Sequence, residues 1–328
     1  MPTSKQETMN KNIIKTLILC LCLSLQSCAQ NKNESTNTNT QMKEIPYKEQ
    51  GMLFKLKYEH ANCSYEILVN DMPVMIHFGL EERSGLTVNI NQYILKPGKQ
   101  DLTIRMFPTK KSENVFESKL NELSIVNINI QKKKQPISPI QEYDAELNGI
   151  KLKWDILTYQ TPKLEKEVPY AEFKTSFNVD PKDINWDIIG WSESQNLKND
   201  PNIRKEVDAF YEDFKKTLED GNQEKYTKML ENSIYEDAAS MPWDKEGKKQ
   251  ITKQMTEYAG QKRNFIYPCT NSELKFYGDG RVVTLVCMDT LTFGYSPLIS
   301  KSEKSMLPKA HTFYLHKPKG SNKLEIIR

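Results

Sequence analysis

Apolar and polar residues alternate in short runs along the first half of the chain. One such run is Tyr65-Glu66-Ile67-Leu68-Val69, and the pair Asn70-Asp71 that follows it is typical of a tight turn. Alternation with a period of two indicates antiparallel strands that bury one face. Similar runs cover residues 53–57, 86–90, 102–107, 126–130, 152–156 and 170–179. Because no convincing helix interrupts them, we predict an antiparallel β-sandwich domain over residues 51–180.

After residue 180 the apolar residues recur with a helical period. Asn199 or Asp200 can cap a helix with Pro201 at its first position, and Gly221 can end it. The apolar face of this helix consists of Val207, Phe210, Tyr211, Phe214 and Leu218. Further helices are predicted over 223–233 and 245–259, and strands over 264–267, 274–277, 282–288, 312–315 and 324–327.

Helices followed by antiparallel strands predict an α+β domain over residues 181–328, with the helices packed on a curved antiparallel sheet. The triplet Gly278-Asp279-Gly280 is a hairpin signal within that sheet. The fold class predicted for the chain is therefore two-domain, an N-terminal antiparallel β-sandwich followed by a C-terminal α+β domain.

The first thirty residues have the pattern of an export signal. Lys11 and Lys15 precede an apolar run over residues 17–25, which is shorter than the about 20 residues that a membrane-spanning helix needs. The run ends at Leu25-Gln26-Ser27-Cys28, which resembles the lipobox of bacterial lipoprotein precursors. An ordinary secretory peptide, or a buried strand with an incidental cysteine, is the alternative interpretation.

The lipobox resemblance implies cleavage before Cys28 and lipidation of that cysteine. Residues 1–27 are then a signal peptide, and the polar residues 28–50 are a flexible tether. We expect the protein to be held by lipid to a membrane of the cell envelope, the outer membrane, with its folded part in the periplasm.

A second resemblance covers residues 200–328. Phe210, Phe214, Gly221-Asn222, Tyr226 and Met229-Leu230 resemble the opening helices of the nuclear-transport-factor-two-like α+β cone superfamily. The resemblance implies helices packed on a curved sheet. Members of that superfamily include enzymes, small-ligand binders and scaffolds, so the resemblance does not select a function.

Charge argues against nucleic acid as a partner. The chain has 46 basic and 43 acidic residues, and removal of residues 1–27 leaves 43 and 42. A nearly neutral protein has no field that would attract phosphates.

Three cysteines remain after the predicted cleavage and lipidation, namely Cys63, Cys269 and Cys287. Cys269 and Cys287 flank a predicted hairpin and can form a disulfide in an oxidising compartment, and buried free thiols are the alternative. No cysteine or histidine spacing indicates zinc, so we predict neither a metal nor a cofactor.

The residues offer no complete catalytic set. His311, His316, Tyr314 and Asp289 are the candidate pocket residues of the C-terminal domain, although the two histidines should point to opposite faces of one strand. Trp186, Trp191 and Trp243 can line a carbohydrate or peptide groove, or simply pack between the domains.

We therefore favour a non-enzymatic binding or interaction lipoprotein, with an envelope protein or glycan as its partner. The alternatives are an enzyme or small-ligand binder with its pocket in the C-terminal domain, an immunity-type protein that neutralises a secreted toxin, and a structural spacer.

Overall fold

Two four-stranded antiparallel sheets make up most of the first half of the described chain. The computed structural model describes residues 51–80, 85–135, 143–145, 147–242, 245–257, 262–302 and 305–328. The first sheet has the order β4-β1-β8-β9, with β1 (Gly51–Ala61), β4 (Leu86–Asn89), β8 (Ile125–Gln135) and β9 (Lys153–Gln160). The second has the order β10-β5-β2-β3, with β2 (Ser64–Val69), β3 (Met72–His77), β5 (Gly98–Phe107) and β10 (Ala171–Val179).

One apolar cluster fills the space between these two sheets. Phe54 and Leu56 of β1 pack with Ile67 of β2 and Ile104 of β5, all of them fully buried. Alternation along each strand directs these side chains inward, as the sequence pattern predicts. A short hairpin, β6 (Lys110–Ser112) and β7 (Val115–Phe116), follows β5.

Helices and two further antiparallel sheets form the second half. The helices are α1 (Ile203–Glu219), α2 (Gln223–Ser240) and α3 (Lys245–Glu257). One sheet has the order β11-β14-β15, with β11 (Arg263–Ile266), β14 (Ile299–Ser302) and β15 (Ser305–Ala310). The other has the order β12-β13-β16-β17, with β12 (Ser272–Tyr277), β13 (Val282–Cys287), β16 (Leu315–His316) and β17 (Glu325–Ile326).

The helix and hairpin predictions match the structure in type and place. The predicted apolar face of α1 is its packing face, with Val207, Tyr211, Phe214 and Leu218 buried. The helix begins at Ile203 and not at Pro201, since Asn202 occupies the cap position. Helix α2 extends to Ser240, seven residues beyond the predicted end.

The predicted fold class is wrong. The described residues form a β-rich arrangement of five small sheets, and they all belong to one compact unit. The reason is that β2 is buried on both faces. On its outer face, Leu68 packs in an apolar cluster with Tyr277 of β12 and Tyr314 from the end of the chain. The C-terminal half therefore packs directly on the outer face of β2 and does not form a separate domain.

A buried carboxylate lies at the same contact between the halves. Glu66 of β2 is 1 % exposed, and one of its oxygens accepts a hydrogen bond from the ammonium of Lys275 on β12. Its second oxygen lies 3.5 Å from the guanidinium of Arg105 on β5. Removal of a charge from water is unfavourable unless opposite charges lie close by, so Glu66 fixes β12 against β2 and β5.

The lysine run Lys132-Lys133-Lys134 lies inside a sheet. These residues belong to β8, which pairs with β1 on one side and β9 on the other. Lys132 donates a 2.6 Å hydrogen bond to the buried carboxylate of Asp183. The two charges of this pair therefore neutralise each other.

We predict that Lys275→Met destabilises the protein by about 3 kcal/mol, because it removes the nearer partner of a buried carboxylate. Chemical denaturation monitored by circular dichroism measures this loss. The control is Lys57→Met, which breaks the pair with Glu59, in which both side chains are about half exposed, and should lose less than about 1 kcal/mol. The double variant Glu66→Gln/Lys275→Met should be more stable than Lys275→Met, since no isolated charge stays buried. Equal losses in Lys275→Met and Lys57→Met would contradict this role of Glu66.

Candidate functional site

A polar groove follows the line where the second sheet meets the C-terminal half. Its volume is about 1150 Å³. The floor is the outer face of β5 and β10, and one wall is the segment 187–193 that leads toward α1. The turn between β2 and β3 and the β12–β13 hairpin close one end. Residues that line it include Asn70, Asp71, Lys96, Lys99, Asp101, Thr103, Arg105, Lys174, Thr175, Ser176, Asp187, Trp191, Glu193, Asp279 and Arg281.

Strand alternation produces the floor of this groove. Gln100, Leu102 and Ile104 of β5 are buried, so Asp101, Thr103 and Arg105 project from the opposite face. On β10, Lys174 pairs with Thr103 and Ser176 with Asp101, which aligns their side chains on that same face. The contact with the C-terminal half covers β2 and leaves β5 and β10 open. The groove therefore begins where the C-terminal half stops covering the second sheet, between β2 and β5.

Two turns meet at one end of the groove and fix its shape. Asn70 and Asp71 both have positive φ, as a tight hairpin turn between β2 and β3 requires. The backbone of Asp71 accepts a hydrogen bond from the amide of Gly278, and its carboxylate accepts one from the amide of Asp279. Gly278 has φ of +57°, and a Cβ atom there would lie 2.6 Å from Trp191 Cδ1. Glycine is therefore required for the close approach of the hairpin to Trp191.

The indole of Trp191 is held by groups behind the groove wall. The guanidinium of Arg328 lies 5.5 Å from the centre of the Trp191 ring system and donates a 2.8 Å hydrogen bond to Glu236 on α2. The other carboxylate oxygen of Glu236 accepts a 2.8 Å hydrogen bond from the amide of Gly190. Cation–π contact and ion pairing thus stabilise the wall, and one face of the indole is already occupied.

The charges that line the groove are balanced, with five acidic and five basic side chains. Most of them are paired within the protein. Arg105 contacts the carboxylates of Glu66, Asp71 and Glu172. Hydrogen bonds from Lys174 and from Arg105 lower the pKa of Glu172 to about 2. The groove therefore has alternating charge and no excess of either sign.

Some polar side chains that line the groove are available to bind a ligand. Within the described part of the chain, the hydroxyls of Thr103 and Ser176 make no hydrogen bond, and Lys96 and Asp187 form no ion pair. These groups can contact a ligand without first breaking an internal contact.

The residues of the predicted C-terminal pocket lie in separate environments. His311 shares a 2.6 Å hydrogen bond with Ser300 and stacks near Phe214 and Phe265. His316 shares a 2.7 Å hydrogen bond with Ser194. Burial lowers the pKa of His311 to about 3 and that of His316 to about 4.

Tyr314 and Asp289 also contact residues other than the predicted pocket residues. Tyr314 packs edge-on against Tyr277, and burial raises its pKa well above 10. Asp289 accepts hydrogen bonds from the amide and the hydroxyl of Thr270. Between α1 and the C-terminal strands, the rings of Tyr211 and Phe214 each lie 4.5 Å from that of Phe313. Aromatic side chains therefore fill the contact between α1 and Phe313.

The cysteines and tryptophans are placed as follows. A disulfide joins Cys269 and Cys287, with their Cα atoms 5.9 Å apart, and the buried thiol of Cys63 donates to the carbonyl of Ile125 at 3.6 Å. Trp186 is buried against Phe54, and its indole N–H donates to the carbonyl of Ile94. Cys28, the predicted lipidation residue, and Trp243 lie outside the described residues.

The pattern of polar residues in the sequence does not predict the groove. The polar positions of β5 and β10 have the alternation of any solvated sheet face, so nothing local distinguishes Thr103 or Ser176. The feature of the sequence that comes closest to predicting the groove is Trp191, for which a ligand groove and packing between domains are both interpretations.

No protein-family model, curated protein or solved structure matches this chain. Among the helices of the described residues, none has both the length and the apolar composition that a bilayer crossing needs.

We predict that His316 makes stability decrease as the pH falls from about 6.5 to about 4. Its folded pKa is lowered to about 4, whereas an unfolded histidine titrates near 6.5, so the unfolded chain binds more protons in this interval. Its contribution is fully present above pH 6.5 and decreases by about 1.4 kcal/mol per pH unit within the interval. His316→Gln should therefore lose less stability than the unsubstituted chain between pH 7 and pH 4.5 in urea denaturation. Parallel stability curves for the two proteins would contradict the assignment.

Proposed function

We propose that this protein is a lipid-anchored envelope protein that binds an extended polar ligand in the groove beside β5 and β10. The observation that supports binding most directly is the presence of unused hydroxyl and charged groups along a groove of about 1150 Å³. The predicted signal peptide, lipobox and tether would present this groove in the periplasm.

The chemistry of the groove favours a ligand with little net charge. Five acidic and five basic side chains line it, so a polyanion or polycation would meet repulsion as well as attraction. The aromatic surface in its lining belongs to Trp191, which is 5 % exposed and stacks with Arg328. A sugar ring would therefore gain little stacking energy in this groove. We therefore favour a peptide segment of an envelope protein over a glycan as the partner.

The low basicity of His311 and His316 favours a binding function over a catalytic one. Both His311 and His316 have lowered pKa values of about 3 and about 4, which makes them weak bases at neutral pH. Each shares its hydrogen bond with a serine hydroxyl, and no carboxylate is in hydrogen-bond contact with His316 within the described residues. A serine nucleophile normally relies on a base that an acidic group orients.

A photo-crosslinking residue at position 103 tests the groove as the binding surface. We predict that p-benzoyl-phenylalanine in place of Thr103 forms a discrete adduct with an envelope component in living cells, and that Ser176→Trp lowers its yield at least tenfold by filling the groove. Asn178→Trp is the matched control, because Asn178 is exposed on the same strand but does not line the groove. Loss of the adduct with protease treatment supports a peptide partner, and loss with lysozyme indicates a glycan. No adduct, or an equal effect of the two tryptophan variants, would contradict the proposal.

Processing at Cys28 is tested independently by intact mass and fractionation. We predict that the protein from membranes lacks residues 1–27 and carries acyl chains, and that Cys28→Ser abolishes both changes. Cys22→Ser is the control, since Cys22 lies in the predicted signal peptide and should leave processing intact. An unprocessed, unacylated chain in the cytosol would contradict the lipoprotein assignment without bearing on the groove.

A further inference from the structure

Three metal-ligating side chains meet at the base of the β12–β13 hairpin, away from the groove. The sulfur atoms of Cys269 and Cys287 and a carboxylate oxygen of Asp289 all lie within 4.8 Å of one another. Cys269 lies in the loop before β12, Cys287 is the last residue of β13, and Asp289 follows two residues later. The pairing of Ser272 with Cys287 across the hairpin holds the two segments together.

Hydrogen bonds orient Asp289 and Cys287. Thr270, next to Cys269 in sequence, donates from its amide and its hydroxyl to the two oxygens of Asp289, at 2.6 Å and 3.0 Å. Thr292 donates from its hydroxyl to the sulfur of Cys287 at 3.1 Å. A hydroxyl donor of this kind stabilises a thiolate, and fixed outer contacts of a carboxylate are typical of metal ligands.

We infer that the disulfide form is one of two states, and that the reduced form binds a zinc ion through Cys269, Cys287 and Asp289. Two thiolates and one carboxylate suit Zn²⁺, and three protein ligands leave the fourth position for water. Cys269 is half-buried and Cys287 is fully buried, so an external thiol would attack the sulfur of Cys269 first.

The conversion needs a dithiol reductant from outside the protein. A reductant of the thioredoxin-like class supplies two electrons and two protons, which breaks the S–S bond and gives two thiols, while the reductant becomes a disulfide. Zn²⁺ then displaces the two thiol protons and bonds to both thiolates and to the carboxylate of Asp289.

A cadmium titration of the full chain tests this inference, with Cys20, Cys22, Cys28 and Cys63 replaced by serine so that only the pair contributes thiols. Cd²⁺ reports thiolate ligation by an ultraviolet charge-transfer band. We expect the protein reduced with a phosphine to bind one Cd²⁺, and Zn²⁺ to displace it, whereas the oxidised protein shows no band. Cys287→Ser should abolish the band, and Asp289→Asn should weaken binding at least tenfold.

The control variant is Glu273→Gln, which changes an exposed carboxylate on β12 of the same hairpin, outside the groove, and should bind Cd²⁺ unchanged. If reduction alone unfolds the chain, circular dichroism should show that Zn²⁺ restores the fold of the reduced protein, and failure to restore it would overturn the inference. It would also be overturned if the oxidised and reduced proteins bind metal equally, or if Asp289→Asn binds Cd²⁺ as tightly as Glu273→Gln.

Discussion

A carboxylate that water cannot reach has to be neutralised by charges held close to it. Glu66 is such a group, and its two partners come from different halves of the chain, Arg105 from β5 and Lys275 from β12. The apolar cluster of Leu68, Tyr277 and Tyr314 surrounds this contact and lowers the local dielectric. The polar contact therefore specifies how the halves meet, and the apolar cluster supplies most of the favourable free energy.

The groove is a consequence of this contact. The C-terminal sheet covers β2, and its hairpin stops at the turn formed by Asn70 and Asp71, so β5 and β10 remain open to solvent. Arg105 links the two regions, because it lines the groove and contacts the buried Glu66 on one side and the exposed Glu172 on the other. A rigid floor of paired charges, with hydroxyls between them, suits selective and reversible binding of a polar partner.

Local patterns in the sequence predicted the elements well and their assembly poorly. The alternation around Tyr65 and the helical spacing around Tyr211 gave β2 and α1, and the triplet at Gly278 gave the β12–β13 hairpin. The same alternation does not reveal that Glu66 is buried, because a polar residue between apolar ones has that pattern whether water or a second sheet covers it. The separate domains expected on either side of residue 180 depended on that face being free. The groove was missed for the same reason, since it exists only where segments distant in sequence come together.

The contact at Glu66 makes the two halves of the chain one folding unit. Differential scanning calorimetry of the chain from Met42 to Arg328 should therefore show a single transition, with a calorimetric enthalpy equal to the van't Hoff enthalpy. Two separate transitions, with the β1–β10 region and the C-terminal region melting independently, would contradict it.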